Sequence, residues 1–247
     1  MMVDSDRLRD DIVAAGARLY ARGLVGGGEG NISVRLDGGR VLATPAGASK
    51  GFLDPRDLVV TDLQGTPLAG TGRPSSELRM HLRIYALRPD VAAVVHAHPP
   101  AATGFAIAGR SLNECVVPEI IATLGWVPVV PYGTPSTDEL GDRMAPYVAT
   151  HDALLLANHG AVTYASTLDG ALHAMESLEQ AARSLLVAEL LGTVNRLSRE
   201  EVDRLLGLDA YGVRVRNSGC AATDDTKTGL RRDIADIVRR TLGQGGD

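Results

Sequence analysis

Hydrophobic and polar positions repeat along the chain with two different periods, and each period predicts a set of elements. Apolar residues spaced three or four apart predict helices over residues 5–22, 77–88, 100–108, 136–148, 167–191, 198–206 and 230–242. Short apolar or alternating runs predict strands over residues 31–36, 40–43, 58–62, 91–98, 127–130, 153–156 and 161–165. Because tight turns join some strands and helices join others, we expect one α/β domain spanning residues 1–247 around a mixed sheet, with a C-terminal tail from about residue 215.

Composition and charge argue against nucleic acid and membranes as partners. Of the 247 residues, 45% are hydrophobic and only 4% are aromatic, which is typical of a tightly packed α/β core. The net charge of −5 gives no reason to expect nucleic acid or an anionic membrane as a partner. No apolar run approaches the roughly 20 residues that span a bilayer, and the first residues show no signal segment. We therefore expect a cytoplasmic protein.

An apolar run over residues 93–95 is followed by two closely spaced histidines, His96 and His98. Residues i and i+2 of a strand point to the same face, so the two imidazoles are expected to project side by side. Two imidazoles on one strand end form half of a tetrahedral metal site. A His-x-His pair by itself also fits an ordinary strand end, so the interpretation depends on the rest of the chain.

Glu77 and His159 complete a candidate metal-binding set. Glu77 lies at a predicted helix start and His159 follows a predicted strand, and both are positions from which side chains can reach a cleft. Three neutral imidazoles and one carboxylate satisfy a zinc-like ion, and the carboxylate is the ligand most easily displaced to act as a base. Each residue alone also fits a purely structural role. His81, one helical turn after Glu77, is expected to be a packed core histidine.

Turns rich in glycine and hydroxyl residues indicate an anion site. Residues 26–30 are glycines apart from Glu29, and glycine lets backbone N–H groups approach an anion closely. A second turn carries Gly47, and Ser75 and Ser76 add hydroxyls at a helix N-terminus, where phosphate is readily held. For the glycine run alone, a flexible turn is the alternative. Lys50 and Arg73 are expected to be surface charges rather than ligands.

With these residues assembled, the chain resembles the class II aldolase and adducin family, and within it the fuculose-phosphate aldolases, over roughly residues 8–211. The resemblance rests on five motifs in family order: Gly30-Asn31-Ile32-Ser33, Thr44-Pro45-Ala46-Gly47, Pro74-Ser75-Ser76-Glu77, Val95-His96-Ala97-His98 and Asn158-His159-Gly160. It implies an α/β/α sandwich around a mixed, largely antiparallel sheet. It also implies a homotetramer whose active sites lie between subunits.

The resemblance assigns a role to each candidate residue. It implies a Zn²⁺ ion, with Mn²⁺ or Co²⁺ as alternatives, held by His96, His98 and His159. Glu77 is then the fourth ligand in the resting enzyme and the acid/base group in turnover, and Tyr211 can donate a proton to the aldehyde oxygen. The implied phosphate-binding residues are Gly30, Asn31, Gly47, Ser75 and Ser76.

Three departures from the family pattern concern the substrate. Ala46 stands where the fuculose enzymes carry a phosphate-binding hydroxyl. Glu119 falls where they have an active-site tyrosine, and it could be an extra acid/base group or only a residue at a helix start. Glu29 places a carboxylate inside the glycine run, where it must point away from any bound phosphate. The aldehyde half of the substrate is therefore left open.

The implied activity is that of a zinc-dependent aldehyde-lyase acting on a small phosphorylated sugar. It would reversibly cleave a ketose 1-phosphate, such as fuculose 1-phosphate or a deoxypentulose 1-phosphate, into dihydroxyacetone phosphate and an aldehyde. The metal stabilises the enediolate, so no Schiff-base lysine is needed, and neither Lys50 nor Lys227 lies in an apolar run that would lower its pKa. The same chemistry supports a sugar-phosphate 4-epimerase, a dehydratase or a decarboxylase. An alternative of another class is a non-catalytic adducin-like interaction module, which would lack the metal ligands present here.

Overall fold

The computed structural model of the protein describes residues 5–208 and shows an eight-stranded sheet with helices on both faces. Tyr211 and the predicted helix over residues 230–242 lie outside the described residues. The strands are β1 (Asn31–Leu36), β2 (Arg40–Ala43), β3 (Val59–Asp62), β4 (Pro67–Ala69), β5 (Ala93–Ala97), β6 (Val129–Val130), β7 (Ala153–Leu156) and β8 (Gly160–Ala165). The helices are α1 (Ser5–Ala21), α2 (Leu78–Leu87), α3 (Pro100–Ile107), α4 (Pro118–Thr123), α5 (Asp138–Val148), α6 (Leu168–Leu191) and α7 (Arg199–Leu206).

The strands are ordered β4-β3-β2-β1-β5-β8-β7-β6 across the sheet. The pairs are antiparallel except for β6 with β7, so the sheet is mixed and largely antiparallel, as predicted. A three-residue turn joins β1 to β2, with Gly38 at φ 73° and Gly39 at φ 71°, a left-handed conformation that glycine adopts without steric cost. Strand β5 lies between β1 and β8, which places its end next to both neighbours.

Alternating side chains of the sheet divide the core into two layers. Val95 and Ala161 pack with α1, α3 and α6 on one face, whereas Val94 and Val162 pack with α2 and α5 on the other. Successive residues of a strand point to opposite faces, and this alternation builds the predicted three-layer α/β/α sandwich. Among the helices of residues 5–208, none combines the length and apolarity needed to cross a membrane.

Most predicted elements are present, and the differences occur at helix starts and in short elements. Helix α2 begins at Leu78 with Glu77 as its N-cap, one residue later than predicted. Helix α5 begins at Asp138, where the Thr137 side chain accepts a hydrogen bond from the Glu139 N–H. Ser136 cannot act as that cap because its φ of 66° is left-handed. The three-residue strand β4 and the six-residue helix α4 are too short for periodicity to reveal.

Candidate metal centre

The three candidate histidines converge at one end of the sheet. His96 lies in β5 and His98 just beyond its end, while His159 occupies the turn between β7 and β8. Asn158 enters that turn at φ 57°, a left-handed conformation that asparagine tolerates better than most residues. The ring centroids are 4.8 to 5.1 Å apart in all three pairs. The structure therefore brings together the histidines that the sequence placed on separate elements.

The histidine nitrogens fit a metal ion. One ring nitrogen from each of the three lies within 4.8 Å of the others. The Nδ1 of His96 is 2.9 Å from the carbonyl oxygen of Ala161, so Nδ1 donates its proton there and leaves Nε2 with a free lone pair. That Nε2 lies 3.2 Å from the Nε2 of His98. Converging lone pairs on neutral imidazoles are what a divalent cation requires.

Glu77 faces two of these histidines from the start of α2. Its Oε1 lies 3.0 Å from the Nε2 of His159, and its Oε2 lies 3.4 Å from the Nε2 of His96. Burial raises the pKa of the Glu77 carboxyl, but when His159 and His96 are protonated their hydrogen bonds and charges outweigh burial and lower that pKa. Glu77 is thus an ionised carboxylate within reach of any ion between the imidazoles.

His98 is held in the neutral state that a metal ligand needs. Burial lowers the pKa of its imidazole to about 4, and the nearby His96 and His159 act in the same direction. At neutral pH the ring is therefore a neutral imidazole, with one nitrogen that carries no proton and offers its lone pair to a cation.

Asn31 connects the metal-binding set to the candidate anion site. Its position on β1 is directly opposite His96 on β5. The Asn31 Nδ2 donates to the Oε2 of Glu77 at 3.1 Å and to the Oγ of Ser75 at 3.3 Å. One side chain thus contacts both the carboxylate that faces the histidines and the first predicted phosphate-binding hydroxyl.

The two glycine turns lie against each other beside this network. A Cβ on Gly30, which has φ 72°, would lie 2.8 Å from the carbonyl oxygen of His96, so only glycine lets the chain pass this close to β5. A Cβ on Gly28 would lie 2.9 Å from the carbonyl oxygen of Gly47. Within residues 5–208, the Gly47 N–H has no hydrogen-bond acceptor. That N–H is available to a ligand.

Ser76 contacts a loop that sequence reasoning did not connect with the site. The Ser136 hydroxyl donates to the Ser76 Oγ at 2.7 Å, from the loop that precedes α5. Both serines are exposed. The proton of Ser76 remains free to be donated to a ligand.

Several polar residues near the site differ from or extend what the sequence indicated. Lys50 was expected at the surface and is only 1% exposed, so that prediction is wrong, whereas Arg73 is exposed as expected. The Glu29 carboxylate accepts a hydrogen bond from the N–H of Gly26, within its own loop. Glu119 is exposed at the start of α4. The residues on either side of Lys50 are Ser49 and Gly51. Neither is a large apolar residue, so the local sequence did not indicate that Lys50 is buried.

His81 is a packed core histidine, as its position on α2 predicted. Its Nδ1 is 2.7 Å from the Ser33 Oγ, which lies 2.9 Å from the Tyr85 hydroxyl. Complete burial, with a smaller effect from His96, lowers the pKa of His81 to about 3. His81, Ser33 and Tyr85 thus form a neutral hydrogen-bond network between α2 and β1, and this network supplies no metal ligand.

Gly160 should be essential for the position of His98. A Cβ at this residue would lie 2.6 Å from the Ala97 carbonyl oxygen and 2.6 Å from the His98 Cδ2, so Gly160→Ala must displace the ring. We expect Zn²⁺ affinity, measured with a competing chelator, to fall about tenfold or more, and stability to fall by about 1–3 kcal/mol. Gly104→Ala is the control, since a Cβ there meets no atom within 4 Å. Unchanged Zn²⁺ affinity in Gly160→Ala would contradict the assignment of His98 as a ligand.

Comparisons with known proteins identify the family of the chain. The family described as "Class II Aldolase and Adducin N-terminal domain" matches residues 10–186. A 3-oxo-tetronate 4-phosphate decarboxylase of Pectobacterium atrosepticum is 36% identical over 185 residues, which cover 73% of this chain and 84% of the relative. A 5-deoxy-D-ribulose 1-phosphate aldolase of Bacillus thuringiensis is 35% identical over 207 residues, covering 83% of this chain and 96% of the relative.

A solved structure gives the same result for the fold. YgbL of Klebsiella pneumoniae, described as an aldolase, epimerase or decarboxylase, superposes with a TM-score of 0.76 at 35% identity. The match covers 82% of this chain and 99% of that protein. The family match over residues 10–186 includes all the strands that carry the candidate metal centre.

Proposed function

The chain belongs to the class II aldolase and adducin family, and from this membership we propose that it is a metal-dependent lyase that cleaves a carbon–carbon bond in a phosphorylated sugar or sugar acid. The observation that carries the proposal is the convergence of three imidazoles on a carboxylate, with Glu77 3.0 Å from the Nε2 of His159. A non-catalytic adducin-like module has no use for such a set.

The metal site of the proposal consists of His96, His98 and His159, with Glu77 as a further ligand, and Zn²⁺ is the first candidate ion. A divalent cation held there would act as a Lewis acid toward substrate oxygens and stabilise negative charge that develops on them. The residues themselves orient the site, because the Ala161 carbonyl oxygen fixes the His96 ring and Asn31 fixes the Glu77 carboxylate.

Glu77 is the proposed acid/base group. As an ionised carboxylate it can take a proton from the hydroxymethyl carbon of dihydroxyacetone phosphate and return it in the reverse direction. Gly30, Asn31, Gly47, Ser75 and Ser76 are the proposed phosphate-binding residues. Tyr211 as proton donor, a homotetramer with active sites between subunits, and a cytoplasmic location complete the proposal.

Two reactions lead to the same enediolate of dihydroxyacetone phosphate. Retro-aldol cleavage of a ketose 1-phosphate releases an aldehyde. It needs a base that removes the proton of the hydroxyl on the carbon that becomes the aldehyde. Decarboxylation of a 3-oxo-tetronate 4-phosphate releases carbon dioxide and needs no such base. The first remains our leading candidate. The second is favoured by the relative from Pectobacterium atrosepticum and by Glu119, which stands where aldolases of this kind carry a tyrosine.

A product analysis would distinguish these reactions. The zinc-loaded protein is incubated with dihydroxyacetone phosphate and a panel of aldehydes, and separately with a 3-oxo-tetronate 4-phosphate. We expect a ketose 1-phosphate in the first mixture for an aldolase and carbon dioxide in the second for a decarboxylase. Absence of both products, together with absence of hydrogen exchange into dihydroxyacetone phosphate, would refute the proposed lyase.

A further inference from the structure

Lys50 is a buried cation whose backbone packs against helix α1. It begins a short 3₁₀ helix (Lys50–Phe52) that packs against α1. A Cβ on Gly16 of α1 would lie 2.5 Å from the Lys50 carbonyl oxygen, and a Cβ on Gly51 would lie 2.5 Å from the Tyr20 ring. These close approaches place the Lys50 backbone directly against α1.

The Lys50 ammonium bonds to both glycine turns. Its Nζ donates to the Gly28 carbonyl oxygen at 3.0 Å and to the Ala48 carbonyl oxygen. These are the turns that touch where Gly28 meets the carbonyl oxygen of Gly47. One ammonium thus links carbonyl oxygens of both turns, next to the Gly47 N–H, which has no acceptor among residues 5–208.

Among residues 5–208, Lys50 has no directly paired carboxylate. Burial lowers the pKa of its ammonium, and the nearby Glu29 and then Glu77 oppose that effect only in part. Lys50 as a residue is only 1% exposed, and among residues 5–208 its ammonium bonds to neutral carbonyls alone, so its charge is electrostatically under-compensated. An anion bound at the two turns would supply the missing negative charge.

We propose that Lys50 is a positioning residue of the phosphate site, which clamps the two glycine turns together and supplies a buried positive charge for the phosphate group. This inference rests on the proposed function, since it takes the ligand to be a phosphate monoester. Glu29 acts in the opposite direction: its carboxylate is the strongest acidic influence on Lys50 and occupies the N–H of Gly26.

The test measures binding of sn-glycerol 3-phosphate, a monoester that cannot be cleaved, to the zinc-loaded protein by calorimetry. Lys50→Met should weaken binding about tenfold or more, because a buried charge interaction is little screened by water or salt. Arg56→Met is the matched control. It removes one positive charge from a side chain that is 89% exposed and should leave the dissociation constant within about twofold.

Glu29→Gln tests whether Lys50 acts through its charge or only through its structural contacts. This variant can be measured even if Lys50→Met fails to fold. It keeps the size of the side chain and should tighten binding about threefold, and Lys50→Met/Glu29→Gln should bind more tightly than Lys50→Met alone. Equal affinity in wild type and Lys50→Met, or weaker binding in Glu29→Gln, would overturn the inference. In those cases hydrogen exchange into dihydroxyacetone phosphate would remain, and the proposed lyase would stand. Loss of that exchange in the wild type would instead refute the lyase itself.

Discussion

Glu77→Gln should stop hydrogen exchange at the hydroxymethyl carbon of dihydroxyacetone phosphate while the protein keeps its metal. Glutamine preserves the size of the side chain, and the Asn31 Nδ2 can still donate to its amide oxygen as it does to the Glu77 Oε2. The amide, however, cannot accept a proton at neutral pH. General acid–base groups contribute about 10²–10⁴ in rate, so the exchange rate should fall by that factor.

Exchange of deuterium from solvent, followed by NMR, measures this effect without knowledge of the second substrate. The exchange is measured at saturating Zn²⁺, where the three remaining imidazoles should keep the metal bound although one carboxylate ligand is lost. Glu200→Gln, which removes an exposed carboxylate on α7, should exchange at the wild-type rate. If Glu77→Gln exchanged deuterium as fast as the wild type with its metal in place, Glu77 would not be the acid/base group.

The sequence predicted the metal-binding set because its signal is local. His96 lies near the end of β5 and His98 directly follows that strand, so the period-two geometry of an extended chain puts their side chains on one face. His159 and Glu77 stood out by their places at element ends. Their convergence could not be read from spacing, because it depends on β5 lying between β1 and β8, and long-range strand order leaves no local pattern.

Lys50 shows what sequence patterns miss. Lys50 is buried because its turn packs on α1 at Gly16 and Gly51. Neither glycine belongs to a sequence pattern that would predict this contact. Ser136 is similar: its hydroxyl donates to Ser76 from a residue with a left-handed φ, and neither feature has a local sequence signal. Such tertiary contacts override local propensity, so the surroundings of the phosphate site were less predictable than the metal-binding set.

His159→Ala should abolish activity through loss of the metal. The imidazole of His159 supplies one of three converging nitrogens, and it is the histidine nearest to the Glu77 carboxylate at 3.0 Å. Its removal leaves two imidazoles and a carboxylate whose pKa is no longer lowered by the His159 hydrogen bond. Loss of a direct ligand exceeds the 10–100-fold effect of residues that only orient ligands, so we expect Zn²⁺ affinity to fall about 10³-fold.

Zinc content after dialysis against a chelator, and a competition titration, check this expectation. His173→Ala is the matched control, because His173 is exposed on α6 and lies outside the set of converging nitrogens. It should bind Zn²⁺ and exchange deuterium as the wild type does. Because the His159 ring is partly exposed, its loss should cost less stability than removal of a core side chain. Wild-type zinc affinity in a folded His159→Ala protein would therefore exclude His159 as a ligand and, with it, the proposed three-histidine centre.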